Sequence, residues 1–195
     1  WDMFTMMPPG GSAARSEALA EMSVLQHQIL TDKKMGEWLA AAASEDLNDI
    51  EQANLREMTR HYQQATLLPE SLVEAKSLAG SKCEHAWRTQ RPANDWHGFS
   101  ANLKEVVKLS REEARLRAEA KSCSPYDALL DIFEPDMTSA RLDVLFGDMK
   151  SWLPDLLANA VEKQSQQSFV PPQGPFPTAT QRELGLEAMK MLGFD

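Results

Sequence analysis

The sequence is poor in the residues that build strands. Seven valines and three isoleucines stand against 24 alanines and 23 leucines, so side chains that favour helix far outnumber the β-branched ones that suit a pleated surface. No stretch alternates apolar and polar residues around a two-residue glycine turn, and hairpins are not indicated. Cysteine is nearly absent: Cys83 and Cys123 are the only two, which excludes a disulfide scaffold. Positive charge is in deficit, with 20 Lys and Arg against 29 Asp and Glu and a net charge of −9. Such a balance disfavours phosphate backbones and anionic lipid, so neither nucleic acid nor a membrane is an expected partner. No apolar run approaches the ~20 residues needed to cross a bilayer. No secretory signal opens the chain, and the expected location is cytoplasmic.

What is present is ordinary globular material: 195 residues, 43% hydrophobic and 25% charged, enough for a helical core. The expectation is an all-α chain, a multi-helix array of antiparallel helices. Residues 1–11 (WDMFTMMPPGG) are irregular, because paired prolines and glycines block regular structure. Ser12 suits a helix start, and Ala18, Met22, Leu25 and Ile29 then mark one apolar helical face. Leu47, Ile50, Asn54, Met58 and Tyr62 or His61 mark the next long one. Pro69 opens a helix with a stripe of small residues, Leu72, Ala75, Ala79, Cys83 and Ala86, in which Cys83 reads as packing. A helix with Phe99, Leu103, Val106 and Ser110 inward continues into a charged run, 104–121, with six basic and four acidic residues. The run reads as a solvated face laced by intrahelical pairs. Pro125 starts a short helix, and Thr138 caps a longer one in which Pro154 should introduce a bend or a split. Its inward positions are Leu142, Leu145, Met149, Leu153 and Leu156 or Leu157. Residues 165–177 hold four prolines in thirteen positions and support neither helix nor central strand. Thr178 and Gln181 have capping-box spacing for a last helix, with Leu184, Ala188 and Met191 or Leu192 inward and Gly193 as its left-handed stop. The expected organisation is a helical region at 1–164, a Pro-rich linker at 165–177 and a terminal helix at 178–195.

Catalytic signatures are missing from these residues. None of His27, His61, His85 and His97 begins an HExxH pattern, in which two imidazoles one helical turn apart hold zinc and the intervening Glu acts as base. Cys83 and His85 stand two apart, which turns them roughly 200° from one another on a helix, so a metal sensor there is a weak reading. There is no Gly-rich phosphate loop and no nucleophile elbow. The carboxylates Glu70, Glu74, Asp127, Asp131, Glu134 and Asp136 read as solvated helix residues. Trp1, Phe4, Met3, Met6 and Met7 cluster in non-helical chain, either as an anchor for the N-terminal segment or as one wall of a substrate cleft.

Several motifs together resemble a known family. WDMFTMMPPGG and the helix SAARSEALAEMSVLQHQILTD that follows, ANLREM (53–58), LPESLVEA (68–75), PAND (92–95), SPYDALLDIFEPDMT (124–138) and PFPTATQRELGLEAMKMLGFD (175–195) occur in the order found in the carboxypeptidase Taq family of metal-dependent carboxypeptidases. Phe4 departs from the family's usual Glu or Gln, and Asp136 from its usual Gly. The resemblance implies the N-terminal part of a larger, zincin-like helical metallopeptidase with a deep groove holding zinc or cobalt. It also implies homodimers that remove residues singly from peptide C-termini. The family's metal ligands, two HExxH histidines and a downstream Glu, and its substrate-clamping Arg would lie beyond Asp195. No catalytic or metal-binding residue is therefore assigned to this sequence, and the 195 residues alone are expected to be inactive and to bind no metal. Trp1, Asp2, Thr5 and Met7 are the expected lining of the substrate cleft. The competing reading is a standalone helical interaction or dimerisation module without catalysis.

Overall fold

The structure is a computed structural model that describes residues 6–8 and 10–194. Its elements are helices: α1 (Ser12–Leu30), α2 (Lys33–Ala42), α3 (Asp49–Thr66), α4 (Glu70–Gln90), α5 (Trp96–Lys121), α6 (Pro125–Phe133), α7 (Ser139–Ser165) and α8 (Thr178–Met191). No strand occurs among the described residues, in keeping with the scarcity of β-branched side chains. Helix boundaries follow local chemistry. Asp32 accepts from the Lys34 amide at 2.8 Å to start α2. Asn48 and Glu51 form a reciprocal capping box on α3, and Asp95 accepts from the Gly98 amide at 2.9 Å at the head of α5. Each satisfies amides that the first helical turn leaves without carbonyl partners. Residues in left-handed conformation close the turns: Asn94 at φ 54°, Ser122 at φ 53° and Asp136 at φ 64°.

Residues up to Leu142 form one unit and residues from Asp143 a second. In the first, α1 lies along α4, α4 along α5 and α5 along α6, while α2 lies on α3. The five-residue turn 91–95 folds α4 and α5 into an antiparallel hairpin. The small-residue stripe of α4 faces inward as expected, with Leu72 and Cys83 buried. Small side chains on both partners let α1 approach closely, and the Ser23 and Ser77 hydroxyls come within 3.5 Å. Gly36 does the same for α2 and α3, since a β-carbon there would stand 2.6 Å from the Tyr62 hydroxyl.

That close approach turns α1 the other way from its apolar stripe. Ala20 and His27 are buried, whereas Met22, Leu25 and Ile29 are exposed. In α3 the expected stripe is divided: Ile50 and Met58 are exposed, whereas Tyr62 is partly covered together with Arg60 and Gln64. Hydrophobic periodicity marks a face that needs covering, and the neighbours within this unit cover another one.

In the second unit α7 runs on through Pro154 as one helix, so of the bend or split expected there the split does not occur. Of the α7 positions read as inward, Leu145, Leu156 and Leu157 are exposed while Met149 and Leu153 are partly covered; Leu184 and Met191 of α8 and Leu192 at its end are exposed. No residue of α8 is buried, and none of α7 is. Residues 166–177 form the irregular stretch between the two helices. After α8, Gly193 takes φ 85°, and the amides of Gly193 and Phe194 donate to the carbonyls of Lys190 and Met189, both at 3.0 Å. This is the paired helix-stop geometry that glycine permits.

Candidate functional site

The polar centre of the first unit gathers around two buried carboxylates. Asp131, 8% exposed, sits on α6. Its Oδ2 accepts from Gln64 Nε2 at 3.1 Å and from the Lys121 ammonium, and its Oδ1 accepts from the Asp136 amide at 2.9 Å. Arg60 donates to the Asp131 backbone carbonyl. Glu113, 4% exposed, lies on α5. It accepts from Lys76 of α4 and, at 2.8 Å, from both Nε and Nη2 of Arg117 one turn along. Arg117 Nη1 also donates to the Gln64 carbonyl at 3.2 Å, so Gln64 joins the two clusters.

Burial opposes ionisation of both carboxylates, but their cationic partners outweigh it. Lys76 and Arg117 hold the Glu113 carboxyl below its ordinary pKa. Lys121, the Asp136 amide and Arg60 do so for Asp131. These carboxylates are charged, paired and committed. The reading of 104–121 as a wholly solvated face is corrected here, because Glu113 and Arg117 fall in phase with Val106, Ser110 and Ala114 on the inner side. Asp131 likewise departs from the solvated reading because it follows Ala128, buried at 1% exposure, on the same face of α6.

The SPYDALLD stretch builds the support for this centre. Ser124 Oγ accepts from the Asp127 amide at 3.0 Å, and Pro125 occupies the first turn, where its missing donor costs nothing. Asp127 Oδ1 then accepts from the amide and hydroxyl of Ser139, both at 2.7 Å, and those two bonds lower its pKa. The motif thus fixes α6 at both ends and delivers Asp131 to the centre. PAND has the same character, a turn at Asn94 and a cap at Asp95.

Beside Asp131 opens a cleft of about 800 Å³, with Arg56, Arg60, Lys121, Glu57 and Asp136 on its walls. Its cations already have partners: Arg56 and Arg60 meet Glu57, and Arg60 and Lys121 meet Asp131. No histidine or cysteine lines it. Around Asp131 the cleft wall is thus a salt-bridged joint, and the carboxylates of Glu45 and Asp136 also stand on the lining. Among the described residues, no three His, Cys, Asp or Glu side chains group to hold a metal ion. Cys83 is buried and Cys123 exposed, and both are free thiols. The described residues do not fit the metal that the sequence resemblance implies. A second, apolar groove of about 660 Å³ runs along Leu19, Met22, Leu25, Ile29, Met35 and His61.

Of the residues expected to line a substrate cleft, Trp1, Asp2 and Thr5 lie outside the described residues. Met7 is half-buried, just ahead of the point where the Gly11 amide donates to the Pro8 carbonyl at 3.1 Å. It lines neither the Asp131 cleft nor the apolar groove. The centre around Asp131 and Glu113 was missed by sequence reasoning. Its signal was the placement of charged residues at core-phase positions of α5 and α6.

The sequence profile of the carboxypeptidase Taq (M32) metallopeptidases matches residues 1–195. Thermostable carboxypeptidase 1 of Thermus thermophilus is 33% identical, over all of this chain and 40% of its own length. Carboxypeptidase 1 of Bacillus subtilis is 28% identical, over all of this chain and 39% of its own. Among solved structures, metallocarboxypeptidase 1 of Trypanosoma cruzi superposes with a TM-score of 0.76 at 43% identity, covering this whole chain and 40% of the other. The chain thus spans about 40% of the length of the curated relatives it matches. Among the described residues, no helix is long and apolar enough to cross a membrane. With the profile, sequence relatives and fold in agreement, the chain belongs to the carboxypeptidase Taq (M32) metallopeptidase family.

Proposed function

We propose that this chain is the N-terminal helical part of a zinc- or cobalt-dependent carboxypeptidase that removes single residues from peptide C-termini in the cytoplasm, as a homodimer. The observation that carries this reading is the family profile matching residues 1–195 in a chain that spans about 40% of its relatives' length. The 195 residues hold no HExxH pattern, and their buried carboxylates are occupied by Lys and Arg. Their part is therefore to hold the helical scaffold, with residues 1–164 as the body, 165–177 as a linker and 178–195 leading toward the catalytic region. The purified 195-residue chain is expected to hydrolyse no blocked dipeptide or longer peptide, with or without added zinc or cobalt. Metal-dependent release of C-terminal residues by this chain alone would overturn the reading.

Within the complete enzyme, Trp1, Asp2, Thr5 and Met7 line the substrate cleft. Asp2→Ala or Thr5→Ala should then lower turnover several-fold by misplacing the peptide, whereas Lys108→Ala on the exposed side of α5 should leave it unchanged. Equal effects at the two places would count against the cleft assignment. A standalone interaction module is the competing function, and it draws on the exposed apolar stripes of α1 and α7. Peptide hydrolysis by the complete family chain with this segment in place would exclude it.

A further inference from the structure

The turn at 91–95 carries a pocket that the scaffold role of PAND leaves unused. Its volume is about 320 Å³, and the end of α4, the turn and the start of α5 form its walls. Backbone bonds set those walls: the Arg91 amide donates to the Trp87 carbonyl at 2.8 Å and the Asp95 amide to the Gln90 carbonyl at 2.9 Å. Three of the lining side chains are aromatic, Trp87 from α4 and Trp96 and Phe99 from α5. Trp96 and Phe99 stand 6.0 Å apart between ring centres, tilted by 47°, within the range that aromatic pairs favour. Both indoles are open to solvent, Trp87 at 48% and Trp96 at 66% exposure. A ring docked against them would remove that apolar surface from water.

Arg91 and Asp95 share the lining with the rings. They do not pair with one another, and neither has an ion pair among the described residues. Asp95 Oδ1 is committed to the Gly98 amide as the cap of α5, but Oδ2 is not. Gly98 keeps the space beside that oxygen clear, since a β-carbon there would run into Oδ2 and stand 2.8 Å from Gln90 Nε2. A hydrocarbon ligand would leave both charges unanswered, a simple cation would meet Arg91 and a simple anion Asp95. A zwitterion that carries an aromatic ring answers every wall. The volume falls at the lower end of the range of about 300–1,000 Å³ for small-molecule sites, which suits a single residue and not a peptide. We infer that this pocket binds a free aromatic α-amino acid, with its ring against Trp87, Trp96 and Phe99, its ammonium on Asp95 Oδ2 and its carboxylate on the Arg91 guanidinium. Nothing in this assignment depends on the proposed peptidase activity.

The test titrates L-phenylalanine into the 195-residue chain, by calorimetry and by nuclear magnetic resonance of the indole N–H groups. Binding should occur with a Kd on the order of 1 mM, the affinity open to so small a ligand. The signals of Trp87 and Trp96 should move, and those of Trp38 and Trp152 should stay in place. L-Leucine, apolar but without a ring, should bind several-fold more weakly. N-Acetyl-L-phenylalanine, without the ammonium, and L-phenylalanine amide, without the carboxylate, should each bind about tenfold more weakly, since each loses a charge-assisted contact. Arg91→Ala should weaken L-phenylalanine by a similar factor and leave its amide unchanged. Asp95→Asn, which can still cap Gly98 through Oδ1, should weaken L-phenylalanine and leave the N-acetyl form unchanged. A variant that merely misfolds would weaken every ligand alike, and unchanged helical circular dichroism checks the fold separately. Absence of L-phenylalanine binding at millimolar concentrations, equal binding of L-leucine or of either blocked form, or movement of the Trp38 or Trp152 signal without that of Trp87 and Trp96 would overturn the assignment.

Discussion

Asp131 receives Gln64 and Lys121 on its carboxylate from two other helices, and its loss would leave both donors without a partner in partly covered surroundings. Lys121 is 37% exposed and Arg60 22%, so water reaches them and the cost falls below that of a wholly buried pair. Asp131→Ala should destabilise the first unit by about 2 kcal/mol, read by urea unfolding followed through α-helical circular dichroism. A change under 0.5 kcal/mol, by the same order-of-magnitude reckoning, would show that the centre is decorative. Asp136 makes a different point at the same scale. Its φ of 64° lies in the left-handed region that glycine enters without strain. The backbone here thus favours the glycine that the sequence resemblance leads one to expect over the Asp that is present. Asp136→Gly should stabilise the chain by about 0.5 kcal/mol, because relief of the turn exceeds the added freedom of the unfolded chain. A lower melting temperature for this variant would contradict that account.

Helices in this chain owe their ends to local chemistry and their orientation to their neighbours. The capping box of Asn48 and Glu51 is complete, with the Asn48 side chain accepting at 3.0 Å from the amides of Ile50 and Glu51 and Glu51 returning the bond to the Asn48 amide at 2.9 Å. Asn48→Ala should therefore cost about 1 kcal/mol in thermal or urea unfolding, and Asn48→Ser far less. Some starts and stops were legible in the sequence: Thr138 Oγ1 accepts from the Arg141 amide at 3.2 Å and Gly193 closes α8, but the capping box expected of Thr178 and Gln181 does not form, since α8 starts after Pro177 without a side-chain cap. The buried side of α4 was legible as well, since its small residues were the only ones suited to close approach. The inner faces of α1 and α3 were not. Their apolar stripes are real, but a stripe says that a face will be covered and not which neighbour covers it. In α5, Glu113 and Arg117 occupy core-phase positions that a charge run on paper assigns to solvent, and the pairing of Glu113 with Lys76 is visible only once α4 lies alongside.

Across the whole molecule, charge sets the response to acid. Glu113, Asp127 and Asp131 each ionise more readily folded than unfolded. The unfolded chain therefore binds more protons in the acid range, and the stability these groups contribute, fully present at neutral pH, is lost as pH falls below about 4. Thermal melts from pH 7 to pH 3 should show that decline, and Asp131→Asn should flatten it; an unchanged slope would place the effect elsewhere. What the sequence determined by itself was the all-α class, several of the helix ends, and the family, because each depends on composition, neighbouring residues or ordered motifs. Tertiary structure alone decided which side of each amphipathic helix is buried and which charges are paired. Burial depends on what lies across the interface, and in this chain α4 faces the small side of α1 while the apolar stripes of α1 and α7 face outward.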